Sequence, residues 1–528
     1  MSGTLDGLLA EQARAAPHRP ALHLPRGTGF RTTTYAALDR RVDAVAAGLR
    51  YAGVRPGMRT ALLVPPTEDF FALAFALLRL RAVPVLIDPG IGRDKVKGCL
   101  AEATPEAFVG VGRAHLARRL LGWCPTARVL VTAGLTAPLG GTTLRRVEQA
   151  GRGRLPFTAP DRPTGSPAAI VFTSGSTGPP KGVEHGEQQL LAQAALIREL
   201  YDLRPGEVSL STFPPFALFG PVLGLSTVVP RMDATRPADV QPARVVRAAR
   251  RFRATVLFGS PALLDTVSRS GGKLRTVRRV VSAGAPVPRA VQRRTLAMLG
   301  PGGQVHTPYG ATEALPVTTI GSAELLTLPV GICVGRPVPG VDVTLMRMTD
   351  APVRSLTPDL LVPDGEVGEV VVRGAVVSPR YADRPDATAD AKLDWDGRVG
   401  HRMGDLASRD TQGRLWFAGR KAHVVHTAQG PLFSVPCEEI FNVHPAVRRS
   451  ALVGTGPAGS RTPVLCVELE PSATASPALT VELLALGAAD GRTARISTVR
   501  YHPRFPVDIR HNSKIDRPAL AVWAAAQP

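Results

Sequence analysis

The sequence has little lysine and few aromatic residues, and both shortages argue against a nucleic-acid binder. Only seven of the 64 basic residues are lysines, and the arginines behind the net charge of +21 are spread along the chain. No basic run alternates with aromatic residues, which make up 5% of the chain. The charge therefore indicates an arginine-rich composition, and an anionic substrate or acidic partner is the weaker alternative.

Patterned cysteine and long apolar runs are missing too. The five cysteines are scattered without a C-x-x-C pair, which disfavours a disulfide framework or a zinc site and favours buried thiols. The longest apolar stretch, 70–87, is broken by Arg79 and Arg81 and predicts a buried helix running into a strand, not a membrane span. The N-terminus lacks the apolar core of a signal peptide, and we expect a cytoplasmic protein.

Short apolar runs that end in small residues and lead into helical patterns predict an α/β fold. They lie at 168–178, 254–269, 277–294 and 304–315. Such patterns are typical of parallel sheets covered by helices. Ligands bind beyond the carboxyl ends of such strands, so we expect the turns after these four strands to face one crevice.

The pattern changes near residue 366, where short antiparallel strands begin. A compact unit follows Arg420, with helices predicted at 437–444 and 517–525 and strands at 449–454 and 462–470. We predict two domains. The large N-terminal domain, 1–419, has parallel-rich sheets flanked by helices. The small α+β C-terminal domain is 420–528.

The stretch "VFTSGSTGPPKGVEH" (171–185) follows a buried strand and suits phosphate. It is not a Walker loop, because Pro180 stands where glycine should precede Lys181, and Gly182 replaces the Ser or Thr. Glycines allow close backbone approach, and amides, hydroxyls and one ammonium can hold anions. A flexible linker, the alternative, has no reason to end in Pro-Pro-Lys-Gly. The predicted phosphate-binding residues are Thr173, Ser174, Gly175, Ser176, Thr177, Gly178 and Lys181.

Four further segments follow this loop in order: "SAGAP" (282–286), "YGATE" (309–313), "MGDLASRD" with "GRKAHVV" (403–425), and "FPVDIRHNSKIDRPAL" (505–520). Each alone is weak, since such residues are also common in cores, turns and surfaces. Together they resemble the adenylate-forming superfamily of acyl-CoA synthetases, peptide adenylation domains and luciferases. The resemblance spans more than 300 residues.

The resemblance implies a role for each matching residue. Tyr309 would stack on adenine, Asp405 and Arg420 would hold the ribose, Thr312 would touch the α-phosphate, and Glu313 would bind Mg²⁺, which prefers carboxylate oxygen. Lys514 would contact the substrate carboxylate and the α-phosphate, so the implied catalytic residues are Lys514, Glu313, Thr312 and Lys181. The remaining implied nucleotide contacts are Gly284, Ala285, Pro286 and Gly310.

The implied cofactors are ATP and Mg²⁺. The resemblance also implies that the large domain, 1–419, binds ATP and the acyl group, and that the small domain, 420–528, is mobile and carries the adenylation lysine. A carboxylate attacks the α-phosphorus in line and gives an acyl-adenylate and pyrophosphate. The protein has only to align the groups and neutralise their charge. Lys181 and Lys514, two of only seven lysines, match the charged positions.

The sequence departs from the superfamily where ligases transfer the acyl group to a thiol. The hinge residue, usually Asp or Lys, is Ala422, and Ala217 stands where histidine is common. The segment 423–441 is also unlike the usual thiol-tunnel loop. Drift would explain each change. Together they suggest that the acyl group does not pass to an external thiol.

Long segments, among them "FPPFALFGPVLGLSTVVPRMDATRP" and "EEIFNVHPAVRRSALVG", resemble the β-lactone synthetases of bacterial olefin biosynthesis. That resemblance implies adenylation of a long-chain (2-alkyl-)3-hydroxy acid and attack by its own hydroxyl to close a β-lactone. Partner enzymes of an olefin or β-lactone pathway are implied, and no nucleic acid. A long-chain acyl-CoA or acyl-carrier-protein ligase is the alternative, and a non-catalytic sensor is a third hypothesis.

The sequence leaves two features of the lactone-forming step open, namely the base and the acyl pocket. His306 and His185 are both candidate bases for the hydroxyl proton, and each is equally well explained as a structural histidine. An apolar acyl pocket is expected, and most of its candidate residues would also suit a core. The candidates are Phe216, Leu218, Phe219, Leu223, Leu225 and Phe258.

Overall fold

The structure is a computed structural model that describes residues 3–88, 91–137, 139–172, 179–507 and 515–527. Within these ranges no helix combines the length and the apolar character needed to cross a bilayer. The helices are α1 (Leu5–Ala15), α2 (Tyr35–Tyr51), α3 (Glu68–Arg79), α4 (Arg93–Ala103), α5 (Gly112–Leu121), α6 (Leu144–Arg152), α7 (Glu187–Leu200), α8 (Pro214–Ala217), α9 (Phe219–Val222), α10 (Pro242–Arg251), α11 (Pro261–Arg269), α12 (Arg289–Leu296), α13 (Ser322–Leu325), α14 (Pro385–Ala391), α15 (Ser434–Phe441), α16 (Pro477–Ala488) and α17 (Arg517–Ala525).

The strands belong to five sheets. In chain order they are β1 (Pro20–Arg26), β2 (Gly29–Thr34), β3 (Arg59–Leu63), β4 (Val83–Ile87), β5 (Ala107–Gly110), β6 (Val129–Thr132), β7 (Thr142–Thr143), β8 (Ala169–Phe172), β9 (Gly182–His185), β10 (Val208–Ser211), β11 (Ser226–Val228), β12 (Val256–Phe258), β13 (Arg279–Val281), β14 (Gln304–His306), β15 (Tyr309–Ala311), β16 (Ala314–Thr319), β17 (Cys333–Pro337), β18 (Val341–Met346), β19 (Gly368–Gly374), β20 (Lys392–Trp395), β21 (Arg398–Arg409), β22 (Leu415–Arg420), β23 (Val425–Thr427), β24 (Gly430–Leu432), β25 (Val447–Thr455), β26 (Thr462–Leu469) and β27 (Thr498–Tyr501).

Two parallel-rich sheets carry the N-terminal half, which confirms the predicted α/β class. One has the order β14-β13-β12-β10-β11-β1-β2 and the other β7-β6-β5-β3-β4-β8-β9. Within them only the edge pairs β1–β2 and β8–β9 are antiparallel. The four strands expected to border one crevice do not all lie in one sheet, and the common crevice itself stays a prediction. β12, β13 and β14 are neighbours, but β8 pairs with β4 in the other sheet.

Local sequence explains the helix ends near this crevice. Ser260 caps α11, because its side chain accepts a hydrogen bond from the Leu263 amide at 3.3 Å, and Pro261 occupies the first helical position, where no amide donor is needed. The predicted helix and strand over 70–87 are α3 and β4, and all of α3 from Phe70 onwards is buried.

Several arginines in this half of the protein form ion pairs with carboxylates. Arg79 at the end of α3 is 6% exposed and reaches Asp39 and Asp43 at 2.7 Å each. A cavity of about 940 Å³ beside α2 and α6 is lined by several arginines. There Arg41 pairs with both Glu68 and Glu148. Such ion pairs fit the interpretation that the net positive charge reflects an arginine-rich composition.

The C-terminal half is mainly antiparallel. The third sheet, with the order β15-β16-β17-β22-β21-β19-β18, also pairs β20 with β21. Beyond it, β23–β24 and β25-β26-β27 form small sheets flanked by α15, α16 and α17. The predicted elements at α15, β25, β26 and α17 are confirmed, whereas α16 and β27 were not predicted. Arg420 is the last residue of β22, and a domain boundary there stays a prediction.

Candidate active site

The predicted ribose residues meet across two paired strands. Asp405 on β21 lies opposite Arg420 on β22, and Arg420 Nε is 2.9 Å from Asp405 Oδ1. The Tyr309 hydroxyl donates to Asp405 Oδ2 at 2.8 Å. Burial and the neighbouring negative charge of Asp405 raise the pKa of Tyr309 well above its ordinary value, so the phenol stays a donor. The structure thus brings three residues from distant motifs into one network.

The segment "SAGAP" follows β13, and "YGATE" follows the neighbouring parallel strand β14. Gly284 has φ +96°, a conformation that favours glycine. A Cβ on Gly310 would lie 2.5 Å from the Ala314 carbonyl oxygen, because β15 and β16 form a tight hairpin there. The two segments therefore lie at adjacent strand ends, where the resemblance implies adenine. Ala285 and Pro286 continue the first segment, and Thr312 lies in the hairpin turn.

Glu313 is oriented by a tyrosine that the sequence motifs did not indicate. The Tyr381 hydroxyl donates to Glu313 Oε1 at 2.7 Å, and Tyr381 is 6% exposed. The Lys181 ammonium lies 4.9 Å from the centre of the Tyr381 ring, a cation–π contact. Tyr381 therefore connects the predicted metal ligand to the lysine of the phosphate loop.

The donors around Glu313 suit a divalent ion that is shared with a nucleotide. Across the described ranges, no group of three or more His, Cys, Asp or Glu side chains could hold a metal. In the same ranges Glu313 Oε2 accepts no hydrogen bond, so one carboxylate oxygen is available. Mg²⁺ commonly takes one or two protein carboxylates and completes its shell with water and phosphate oxygens. Glu313 fits that role.

An apolar pocket of about 60 Å³ lies beside this site. Five of the six predicted acyl residues line it, namely Phe216, Phe219, Leu223, Leu225 and Phe258. Leu218 does not line it and packs against the core instead. The rings of Phe216 and Phe258 stack with their centres 4.0 Å apart. Pro308 and Leu315 also line the pocket, and they flank the adenine motif along the chain.

Two sets of predicted residues lie outside the described ranges. They are Lys514 and the loop residues Thr173, Ser174, Gly175, Ser176, Thr177 and Gly178. Their roles stay predictions. The strands that carry the loop are described, since β8 ends at Phe172 and β9 begins at Gly182.

The two candidate bases are both held neutral. His185 is 3% exposed, and burial, helped by the positive charge of Lys392, lowers its pKa to about 4. Burial and the charge of Arg279 likewise lower the pKa of His306 to about 4. The His306 ring contacts Tyr201, with centres 5.2 Å apart, and Tyr201 lines the apolar pocket. Neither histidine bonds to the network around Glu313 in the described structure, so both candidates stay open.

The structure shows where the two alanines lie that replace residues usual in the superfamily. Ala217 ends α8 and is 1% exposed, so a histidine could not replace it without repacking. Ala422 lies in a single turn of 3₁₀ helix, Lys421–His423, directly after β22.

The class of enzyme to which this fold and site belong follows from a family comparison. The profile of the family "AMP-binding enzyme" matches residues 9–382, and the chain belongs to that family. The protein is therefore an adenylate-forming ligase, as the motifs predicted.

Two curated relatives extend the match to the whole chain. Both are called olefin beta-lactone synthetase. The protein from Xanthomonas campestris pv. campestris is 47% identical over 550 residues, covering 99% of this chain and 98% of the relative. The protein from Stenotrophomonas maltophilia is 47% identical over 538 residues, covering 98% and 97%. These relatives confirm the narrower resemblance.

Solved structures support the fold. An amide bond synthetase from Marinactinospora thermotolerans superposes with a TM-score of 0.80 at 24% identity, covering 98% of this chain and 99% of that one. An anthranilate CoA ligase in complex with anthranoyl-AMP gives a TM-score of 0.81 at 20% identity, covering all of both chains. At these identities the likeness concerns architecture.

Proposed function

We propose that the protein is an ATP-dependent β-lactone synthetase acting on a long-chain (2-alkyl-)3-hydroxy acid. The observation that carries the proposal is the 47% identity, over nearly the whole chain, to two proteins called olefin beta-lactone synthetase. The apolar pocket beside the nucleotide network supports an acyl substrate. The supply of that acid, and the use of the lactone, would fall to partner enzymes of an olefin or β-lactone pathway. A cytoplasmic location stays a prediction.

In the first step a carboxylate oxygen bonds to the α-phosphorus of ATP, and the bond from that phosphorus to the bridging oxygen breaks, releasing pyrophosphate. Asp405 and Arg420 would hold the ribose, and Tyr309 the adenine. Lys181 would neutralise phosphate charge, and Lys514 would contact the reacting carboxylate. Mg²⁺, held by Glu313 and the phosphates, would add charge neutralisation.

In the second step the substrate's 3-hydroxyl oxygen bonds to the activated acyl carbon, and the bond from that carbon to AMP breaks. The hydroxyl gives up its proton, AMP leaves, and a four-membered lactone remains. Because both reacting groups belong to one molecule, the protein has to hold a conformation rather than bind a second substrate. The small residues Ala217 and Ala422, found where thiol-using ligases have functional side chains, support this route.

The test is product analysis with ATP, Mg²⁺ and a 2-alkyl-3-hydroxy acid, with and without coenzyme A. We expect lactone and AMP in equal amounts without any thiol. The matched control is the same acid without its 3-hydroxyl, which should support pyrophosphate exchange but give no lactone. A strict requirement for coenzyme A or a carrier protein would instead make the protein an acyl ligase.

A further inference from the structure

Lys392 is a partly buried cation near the active site to which no role has been assigned. It begins β20, and its Nζ donates to Ser378 Oγ at 3.1 Å. In the described ranges no carboxylate lies within 4.0 Å of this ammonium, unlike Lys421, which reaches Glu369 at 3.6 Å. The charge of Glu313 acts on this ammonium and favours its protonated form. Within the described ranges Lys392 is thus a lysine without an ion-pair partner, and it is influenced by the predicted metal ligand.

Ser378 belongs to the segment 377–382, which we call the strap. The strap contacts both the main chain and the side chain of Glu313. The Ser378 amide donates to the Glu313 carbonyl oxygen at 2.7 Å, and the Tyr381 hydroxyl donates to the Glu313 carboxylate at 2.7 Å. Ser378 is fully buried. Main chain and side chain of Glu313 are therefore both fixed by the strap, and Lys392 anchors the strap at Ser378.

The other side of the strap is joined to the strand that follows the phosphate loop. The Ala382 amide donates to the Gly182 carbonyl oxygen at 2.7 Å, and Tyr381 forms a β-bridge with Val183. A shift of the strap would therefore move Glu313 and Lys181 together. The anchor of the strap is well placed to control both charged groups.

A lysine is a costly anchor at this position. Burial lowers the pKa of Lys392 to about 7, although the charge of Glu313 acts in the opposite direction. Two neighbouring histidines, His185 and His401, are 3% and 2% exposed, and the Lys392 charge contributes to lowering the pKa of each. A neutral side chain could fill this space without removing a charge from water. A charge kept in such a place points to function rather than stability.

We propose that Lys392 is a positioning residue for adenylation, which holds the strap, and through it Glu313, by its hydrogen bond to Ser378. The inference rests on the first step of the proposed function, adenylation, and not on the closure of the lactone. A positioning role differs from a purely structural one in what a substitution does. Loss of Lys392 should lower the rate of adenylation and should not lower the stability of the fold.

The test replaces Lys392 with Met, which keeps the length of the side chain and removes the charge and the hydrogen bond. Pyrophosphate exchange reads adenylation alone, and melting of the ligand-free protein reads stability. We expect K392M to melt at or above the temperature of the wild type. Its kcat for exchange should fall by about tenfold to a hundredfold, the range expected when a catalytic group is misplaced. We expect S378A, which loses only the hydrogen bond, to keep more activity than K392M.

Lys421→Met is the matched control for stability, because Lys421 is a lysine with a carboxylate partner, and its loss should lower the melting temperature. Wild-type exchange in K392M would overturn the inference. So would a K392M protein that melts at a lower temperature or does not fold, because the lysine would then serve the stability of the fold and not adenylation. If the wild type exchanges pyrophosphate but makes no lactone, the proposed second step fails and the inference about Lys392 is unaffected.

Discussion

Acid should destabilise this protein through His185, which the fold keeps neutral. Burial, helped by the Lys392 charge, lowers its pKa from 6.5 to about 4. Well above pH 6.5 neither the folded nor the unfolded chain binds a proton at this ring. Between pH 6.5 and about 4 the unfolded chain takes up a proton that the folded chain excludes, so stability falls as pH falls. Below that window the contribution no longer changes.

The size of the effect follows from the two pKa values. At pH 5 the difference in proton binding corresponds to about 2 kcal/mol, and at the acid limit to about 3 kcal/mol. No discount for solvent screening applies, because His185 is 3% exposed. His306 and His423, whose pKa values are also lowered, add to the acid loss of the wild type. The contribution of His185 is therefore read from the difference between the wild type and a His185 variant in how much unfolding free energy each loses on acidification.

The assay is urea denaturation of the wild type and of His185→Gln at pH 7 and pH 5. We expect the variant to lose about 2 kcal/mol less than the wild type between the two pH values. Exposed His18→Gln is the control for replacing a histidine. Parallel losses in the wild type and in His185→Gln would refute the reasoning, as would an NMR titration of His185 near pH 6.5.

Three further predictions concern the site. Tyr309→Phe removes a hydrogen bond that orients the buried carboxylate of Asp405; such a bond is worth about 1.5–3 kcal/mol, so the KM for ATP in pyrophosphate exchange should rise, by at most roughly a hundredfold. An unchanged KM would contradict the assigned network. Phe258→Ala should shift the preferred acid towards bulkier chains in a competition assay read by product mass, because the Phe216–Phe258 stack narrows the pocket; an unaltered preference would place the acyl chain elsewhere. Lys514→Ala should nearly abolish exchange and leave ATP binding, measured by calorimetry, largely intact; wild-type exchange would remove Lys514 from the first step.

Local patterns predicted those parts of the fold that depend on local interactions. The Ser260-Pro261 pair marks the start of α11, and α17 begins at Arg517 as the sequence indicated. Which sheet a strand joins is not a local property. The run at 168–178 therefore gave the correct strand, β8, but not its pairing with β4, which lies more than 80 residues earlier in the chain.

The candidate site was predictable where residues stand in motifs. Tyr381 and Lys392 were missed because they lie outside the motifs used and act on Glu313 from 68 and 79 positions away along the chain. One signal was available. In a chain with seven lysines, each lysine is a position where arginine was not used, and Lys392 could have been singled out on that ground.

The burial of all five cysteines has a consequence for an enzyme that makes β-lactones. A β-lactone is a strained ester that acylates thiolates, so the protein works in the presence of a product that could inactivate it. Burial raises the pKa of Cys99, Cys124, Cys437 and Cys466 to about 12, and raises that of Cys333 as well. At pH 7 a thiol with such a pKa is ionised in roughly one molecule in 100,000. The fold thus protects the catalyst from self-acylation by its own product.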